Sequence, residues 1–297
     1  MLVHADFEQR YILLEKQYID FANTAINRPD MKGEQDIFNR VMPRDHIAVV
    51  AFLENRQSGA RLMVVNVHLE WNPVYKDVKI VQVAILMEQV AKIADLWAKR
   101  APLMDKEKLR YRFSDFDGDG TTSSAPQAES VPSMEYATGS LIPMVVCGDF
   151  NSLPNSGVHE LISHGVLSKS HHELGDHKYG NFTKDGMSHP FSLKSAYGAL
   201  GELPFTNYTP GFQGVIDYIW YASNAMQVTG LLGEVDREYL KRVPGFPNYH
   251  FPSDHLSLLA QFVVKPPKAA RKPATEADFG APNKSAACTA ATVQIYV

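Results

Sequence analysis

The sequence predicts an α/β protein with a sheet-on-sheet core flanked by helices. Two patterns carry that expectation. Short apolar runs rich in Val, Ala and Ile recur along the chain and outnumber the helical patterns. One long stretch, Lys76–Lys99, instead places Val83, Leu86, Val90, Ile93 and Trp97 at spacings of three and four, which is one apolar stripe of a helix packing on a core. Both periodicities in one chain without an internal repeat point to layered sheets and helices.

Taken in order, Tyr11–Leu14 reads as a strand and Ile19–Ile26 as a short helix. Ile47–Leu53 and Arg61–Leu69 are firmer strands, and Asn55–Gly59 between them supplies the turn of a hairpin. After the long helix, Asp115–Ser140 is rich in Gly, Ser, Thr and Pro and is expected to be an exposed loop insertion. Asp115, Asp117, Asp119 and Gly120 imitate the start of a calcium loop. Pro126 stands where a bidentate Glu is needed, which excludes that site. Val145–Asp149 is a buried strand and Asn155–His164 a helix. His171–Phe191 is a solvated loop whose histidines (His171, His172, His177, His189) lack metal spacing. Gly214–Tyr221, Gln227–Gly233 and Asp254–Val264 are the last strands, and the Pro/Ala/Lys-rich tail 265–297 is expected to be disordered. One domain over residues 1–264 follows.

The chain has 297 residues, enough for one large α/β domain or two small ones. Its net charge of −4 means that any nucleic-acid contact must come from a local basic patch. Cys147 lies in an apolar run and Cys288 in the tail, so no disulfide is expected and a reducing compartment fits. No 18-residue apolar stretch exists, which argues against a membrane span. The first residues form no apolar signal region, and Asn181-Phe-Thr183 and Asn207-Tyr-Thr209 match the glycosylation pattern by chance.

The chain is organised around Val-Val-Cys-Gly-Asp-Phe-Asn, residues 145–151. Residues i and i+2 of a strand point the same way, so Asp149 and Asn151 converge at its end. A carboxylate beside an amide suits a hard cation or a phosphate; an Asx turn before the next helix is the structural alternative. Three further polar clusters sit at strand ends: Asn66-Val-His68 with Trp71-Asn-Pro73, then Asp217, then Ser253-Asp254-His255. Asp217 lies inside the apolar run Val215–Trp220. An unpaired buried charge is costly, so it needs a partner, and His255 is the candidate. Such a pair serves either catalysis or the core.

Asn66-Val-His68, Gly148-Asp-Phe-Asn151, Val215-Ile-Asp-Tyr218 and Ser253-Asp-His255, in that order, resemble the metal-dependent exonuclease–endonuclease–phosphatase superfamily with its DNase I-like fold. The closer similarity is to poly(A) deadenylases of the carbon catabolite repressor type. It rests on Asp36-Ile-Phe-Asn-Arg-Val41, His68-Leu-Glu-Trp-Asn-Pro73, Lys76-Asp-Val-Lys79, Phe205-Thr-Asn-Tyr-Thr209 and Gly211-Phe-Gln-Gly214. The resemblance implies a four-layer α/β/β/α sandwich and Mg²⁺-dependent 3′–5′ hydrolysis of poly(A) RNA to 5′-AMP. It further implies a place among the subunits of an mRNA deadenylase complex in cytoplasm and nucleus. It assigns the water-activating role to Asp149, phosphate or metal contacts to Asn151 and Asp254, a phosphate-directed proton to His255 paired with Asp217, and a phosphate contact to His68. Asp149, Asn151 and Asp254 would serve the metal. Pro73 and Phe212 would sandwich the terminal base, with Asn207 near phosphate and sugar.

One departure stands out. The family's Leu-Gln-Glu motif, whose Glu is a direct magnesium ligand, should precede the segment around Phe7–Leu14 and is not in this sequence. The leucine-rich repeats of the fungal enzymes are also absent from it. The chain therefore reads as the C-terminal portion of a deadenylase, with N-terminal strands missing and little activity expected. The competing expectations are a superfamily phosphatase acting on a dinucleotide, as nocturnin does, or on an inositol phosphate, and a non-catalytic interaction protein.

Overall fold

The computed structural model describes residues 10–101, 133–265 and 292–296. Among them the strands are β1 (Tyr11–Asp20), β2 (Ile47–Asn55), β3 (Arg61–His68), β4 (Met144–Asp149), β5 (Val166–Leu167), β6 (Met187–Ser188), β7 (Leu193–Ser195), β8 (Asn207–Thr209), β9 (Phe212–Gly214), β10 (Asp217–Ala222), β11 (Met226–Leu231), β12 (Leu259–Val264) and β13 (Thr292–Tyr296). The helices are α1 (Phe21–Ile26), α2 (Lys76–Ala98), α3 (Gly157–His164), α4 (Asn181–Lys184) and α5 (Arg237–Leu240). None is long and apolar enough to cross a membrane.

Six strands form the main sheet in the order β1-β2-β3-β4-β10-β7. β1, β2 and β3 are antiparallel neighbours; β4 lies parallel to β3, joined to it by a connection that contains α2, and antiparallel to β10. Apolar runs without alternation, such as Leu62–Val65 and Val145–Cys147, make strands buried on both faces. A second sheet, β11-β12-β13, packs on the first, with Tyr221 and Phe262 rings 5.2 Å apart. The expected sheet-on-sheet core and α/β class are both present.

Helix α2 covers the main sheet and is clamped at both ends. At its C-terminus the Arg61 guanidinium donates to the carbonyls of Trp97, Arg100 and Ala101, satisfying groups the helix leaves open. Near its N-terminus the buried Asp77 accepts from Arg40 at 2.7 and 2.8 Å and from the Tyr179 hydroxyl. Trp97 stacks on Phe52 of β2 at 4.1 Å.

Several local expectations change. β1 runs on to Asp20, because its pairing with β2 extends over the polar stretch Glu15–Gln17 that the apolar pattern missed. The last part of the expected loop insertion is packed, not exposed: Ser133 and Tyr136 are buried, and Gly139 lies so close to α2 that a Cβ there would meet the Ala94 carbonyl carbon at 2.5 Å. Residues 115–132 of the insertion, with the excluded calcium loop, lie outside the described residues. So do 266–291 of the tail, including Cys288. The tail's end is not disordered. Thr292–Tyr296 alternates β-branched and polar residues and pairs with β12, burying Val293 and Ile295. The histidine-rich segment is also no solvated loop: His177 bonds Asp36 at 2.9 Å and His189 bonds the Leu161 carbonyl at 3.0 Å.

Candidate active site

Pairing of β3, β4 and β10 places three site residues in one row. His68 stands beside Asp149 in the parallel register, and Asp217 stands opposite Asp149 in the antiparallel one. The close approach depends on Gly148, which adopts φ +139°; a Cβ there would sit 1.9 Å from the Val67 carbonyl oxygen. His68 Nε2 lies 3.6 Å from Asp149 Oδ2.

Beyond β4 the chain turns sharply. Asn151 takes φ +48°, its N–H donates to Asp149 Oδ1 at 2.7 Å, and its side-chain amide donates to the Leu69 carbonyl at 3.1 Å. The expected convergence of Asp149 and Asn151 is thus made by an Asx turn, not by strand alternation. Helix α3 has its own cap, Ser156.

Asp217 is buried and doubly held. Thr206 Oγ1 donates to its Oδ2 at 2.7 Å while accepting the N–H groups of Ile216 and Asp217. His255 Nδ1 donates to the same Oδ2 at 2.9 Å, as the buried-charge argument required. The segment before β12 stays outside the sheet and is zipped onto β8 by Leu256 N–H to Thr206 O and an Asn207–His255 bridge. That seating aims Asp254 at Asn207, whose amide donates to Asp254 Oδ2 at 3.1 Å.

The electrostatics follow from burial and crowding. Desolvation, then the neighbouring Asp217 charge, pushes the Asp149 carboxyl up to about 6. The hydrogen bond to Asp217 pushes His255 up to about 9, so this imidazole is a cation at neutral pH. Ligand atoms of Asp149, Asp217 and His255 lie within 4.8 Å of one another, an arrangement that could hold a metal ion. Asp254 is not in that tight group.

His255 and Asp254 open onto a cleft of about 590 Å³, whose lining does not include His68, Asp149 or Asp217. Every sequence-derived binding residue lines it: Pro73, Asn207 and Phe212, together with Asn151, Asp254 and His255. Sequence reasoning missed other participants. Lys79 is buried on α2, donates to the Asn151 carbonyl at 2.7 Å, and burial pulls its ammonium below its usual range. A lysine inside a helix whose neighbours are apolar was the available signal. Glu70 is buried, pairs with Arg44 at 3.0 Å and accepts the Asn72 N–H at 3.0 Å. His46 meets the His68 ring edge-on at 5.9 Å, and nothing local in the sequence marks it. Glu173 accepts the first N–H of α3 and pairs with Lys76.

Residues 108–255 match the Endonuclease/Exonuclease/phosphatase family. Over 271 residues, 91% of this chain, the sequence is 61% identical to the CCR4-Not complex 3′-5′-exoribonuclease subunit Ccr4 of Phaeosphaeria nodorum, covering 45% of that protein. The protein of the same name from Aspergillus fumigatus is 57% identical over 271 residues, covering 38% of its length. The chain thus spans less than half the length of these relatives. The structure resembles that of ANGEL2, described as a 2′,3′-cyclic phosphatase, with a TM-score of 0.56 at 23% identity, covering 85% of this chain and 67% of that one. The strand-end row of His68, Asp149 and Asp217, the shared fold and the Ccr4 relatives agree: the chain belongs to the endonuclease/exonuclease/phosphatase family.

Proposed function

We propose that this chain is the nuclease portion of a magnesium-dependent 3′–5′ exoribonuclease that shortens poly(A) and releases 5′-AMP. The observation that carries it is one cleft that His255, the member of the Asp149–Asp217–His255 cluster that reaches its wall, lines together with Asn151, Asp254 and the apolar pair Pro73 and Phe212. The names of the Ccr4 relatives support the same reading.

The donor set fits a hard cation. Two desolvated carboxylates side by side oppose each other's charge, which a divalent ion relieves, and the oxygen donors of Asp149, Asn151 and Asp254 suit magnesium. When bound, the ion would neutralise charge developing on the scissile phosphate. Asp149 Oδ1 is fixed by the Asn151 N–H, which leaves Oδ2 to orient and deprotonate the attacking water. His255 gives Nδ1–H to Asp217, so Nε2–H is free to donate to a phosphate oxygen, and the charge on the ring suits that anion. His68, at the exposed end of the row, adds a second donor. Pro73 and Phe212 hold the terminal base, and Asn207, fixed by Asp254, faces the sugar and phosphate. By the same relatives, the protein would work with other subunits of a deadenylase complex on mRNA in cytoplasm and nucleus.

The test compares oligo(A), oligo(U) and NADPH with Mg²⁺, as ratios of initial rates. Stepwise loss of 5′-AMP from oligo(A), slow in this chain but faster than any loss from oligo(U), is expected. Dephosphorylation of NADPH with oligo(A) left intact would overturn the reading.

A further inference from the structure

Trp71 is placed where no structural duty explains it. The chain has three tryptophans. Trp97 is enclosed between Phe52 and the Arg100 guanidinium, and Trp220 is buried against Tyr218. Trp71 is 68% exposed, yet its side chain lines the same cleft as Pro73, Phe212 and His255. Large aromatic side chains are highly buried on average, so such exposure at a cleft rim marks a contact surface.

The loop that carries it is rigid. Before Trp71, Glu70 is buried, pairs with Arg44 and gives its N–H to Gln82 Oε1 at 3.0 Å. After it, the Asn72 N–H bonds Glu70 Oε1, and Asn72 in turn accepts from Val74 N–H and Tyr75 N–H. The backbone on both sides is therefore held by polar bonds while the indole projects into solvent. A rigid aromatic ring presented this way is preorganised for stacking, since little entropy is lost on contact.

The cleft, at about 590 Å³, is roughly twice the ~300 Å³ at the low end of small-ligand sites, so it has room beyond one nucleotide. Lys76 lines the same cleft, its side chain 57% exposed and its ammonium 3.3 Å from Glu173, open to a backbone phosphate. Every base has a flat face, and single-stranded nucleic acid is held by this combination of ring and cation.

We infer that Trp71, with Lys76 beside it, forms a second nucleotide subsite that stacks the base preceding the terminal one. This inference rests on the nuclease reading above and deepens it: the cleft is built for a chain of nucleotides rather than a single one.

Trp71 is the exposed tryptophan, so fluorescence quenching reads the contact directly and without turnover. With Mg²⁺ present, phosphorothioate forms of oligo(A) and of the dinucleotide pApA, which resist hydrolysis, are expected to quench emission. AMP should occupy the cleft, seen as competition with oligo(A), with little quenching. Trp71→Ala should lose about tenfold in oligo(A) affinity, equal to ~1.4 kcal/mol, and much less in AMP affinity. Trp71→Phe should recover most of that loss. Quenching by AMP as deep as by oligo(A), or unchanged oligo(A) affinity in Trp71→Ala, would overturn the subsite while leaving the nuclease reading in place. Failure of the unmodified protein to bind oligo(A) at all would overturn both.

Discussion

Asp217 stands directly across from Asp149, on adjacent antiparallel strands, and the two carboxylates play opposite parts. Asp217 is held through its Oδ2, which accepts from both Thr206 and His255. Asp149 keeps one oxygen free, is crowded by its neighbour, and is pushed up to about 6. One carboxylate orients an imidazole; the other is left available to a cation and a water.

Replacing Asp217 by Asn should release His255. Its pKa, measured by NMR titration, should fall from about 9 towards the ordinary histidine value of ~6.5. The folded-state value is raised, so the stabilisation is complete below ~6.5 and is lost as pH rises through about 9. Thermal melts of the parent protein should therefore decline across that window, and those of Asp217→Asn should be flatter. A pH-independent melting difference between them would contradict the pairing.

Asp149→Asn should abolish hydrolysis yet raise stability at pH 7 by about 1–2 kcal/mol, because it removes a desolvated charge facing another. The sign follows from the raised folded-state value: stability from this group is highest below the unfolded value of ~3.9 and falls as pH rises through about 6. Magnesium should raise the melting temperature of the parent protein and not of the variant. Equal magnesium shifts in both would remove Asp149 from the cation site.

Gly148→Ala meets two obstacles at once, a φ of +139° and a carbonyl oxygen 1.9 Å from the new Cβ. A cost of about 3 kcal/mol or more is expected in denaturant unfolding, as for strained backbone combined with a clash. A loss below about 1 kcal/mol would mean that β3 and β4 separate easily at the site.

Lys79→Met keeps the volume and apolar stem of the side chain but deletes the bond to the Asn151 carbonyl. Activity should fall about 10- to 100-fold, the range typical for residues that support a metal site, with a smaller change in stability. Oligo(A) turnover and urea midpoints, measured side by side, separate the two effects.

The sequence by itself determined the pieces with local causes. Apolar runs marked β2, β3, β4 and β10, and the three-four stripe marked α2, since burial of one face or both writes a period into the chain. The polar clusters at strand ends, and the demand of a carboxylate among Val215–Trp220 for a partner, made His68, Asp149, Asn151, Asp217 and His255 visible before any fold was known. The family resemblance supplied Asn207 and Phe212 and the roles of Pro73 and Asp254, which already stood in those clusters.

Tertiary structure alone decided how these pieces meet. Strand register is a long-range property, so only the pairing of β3, β4 and β10 puts His68, Asp149 and Asp217 in one row. The supports Lys79, Thr206, Glu70 and His46 come from distant stretches whose local patterns read as helix, turn or loop. For the same reason the polar half of β1, the packed end of the insertion and the strand Thr292–Tyr296 escaped the sequence reading: each is ordered by a partner far away in the chain, not by its own composition.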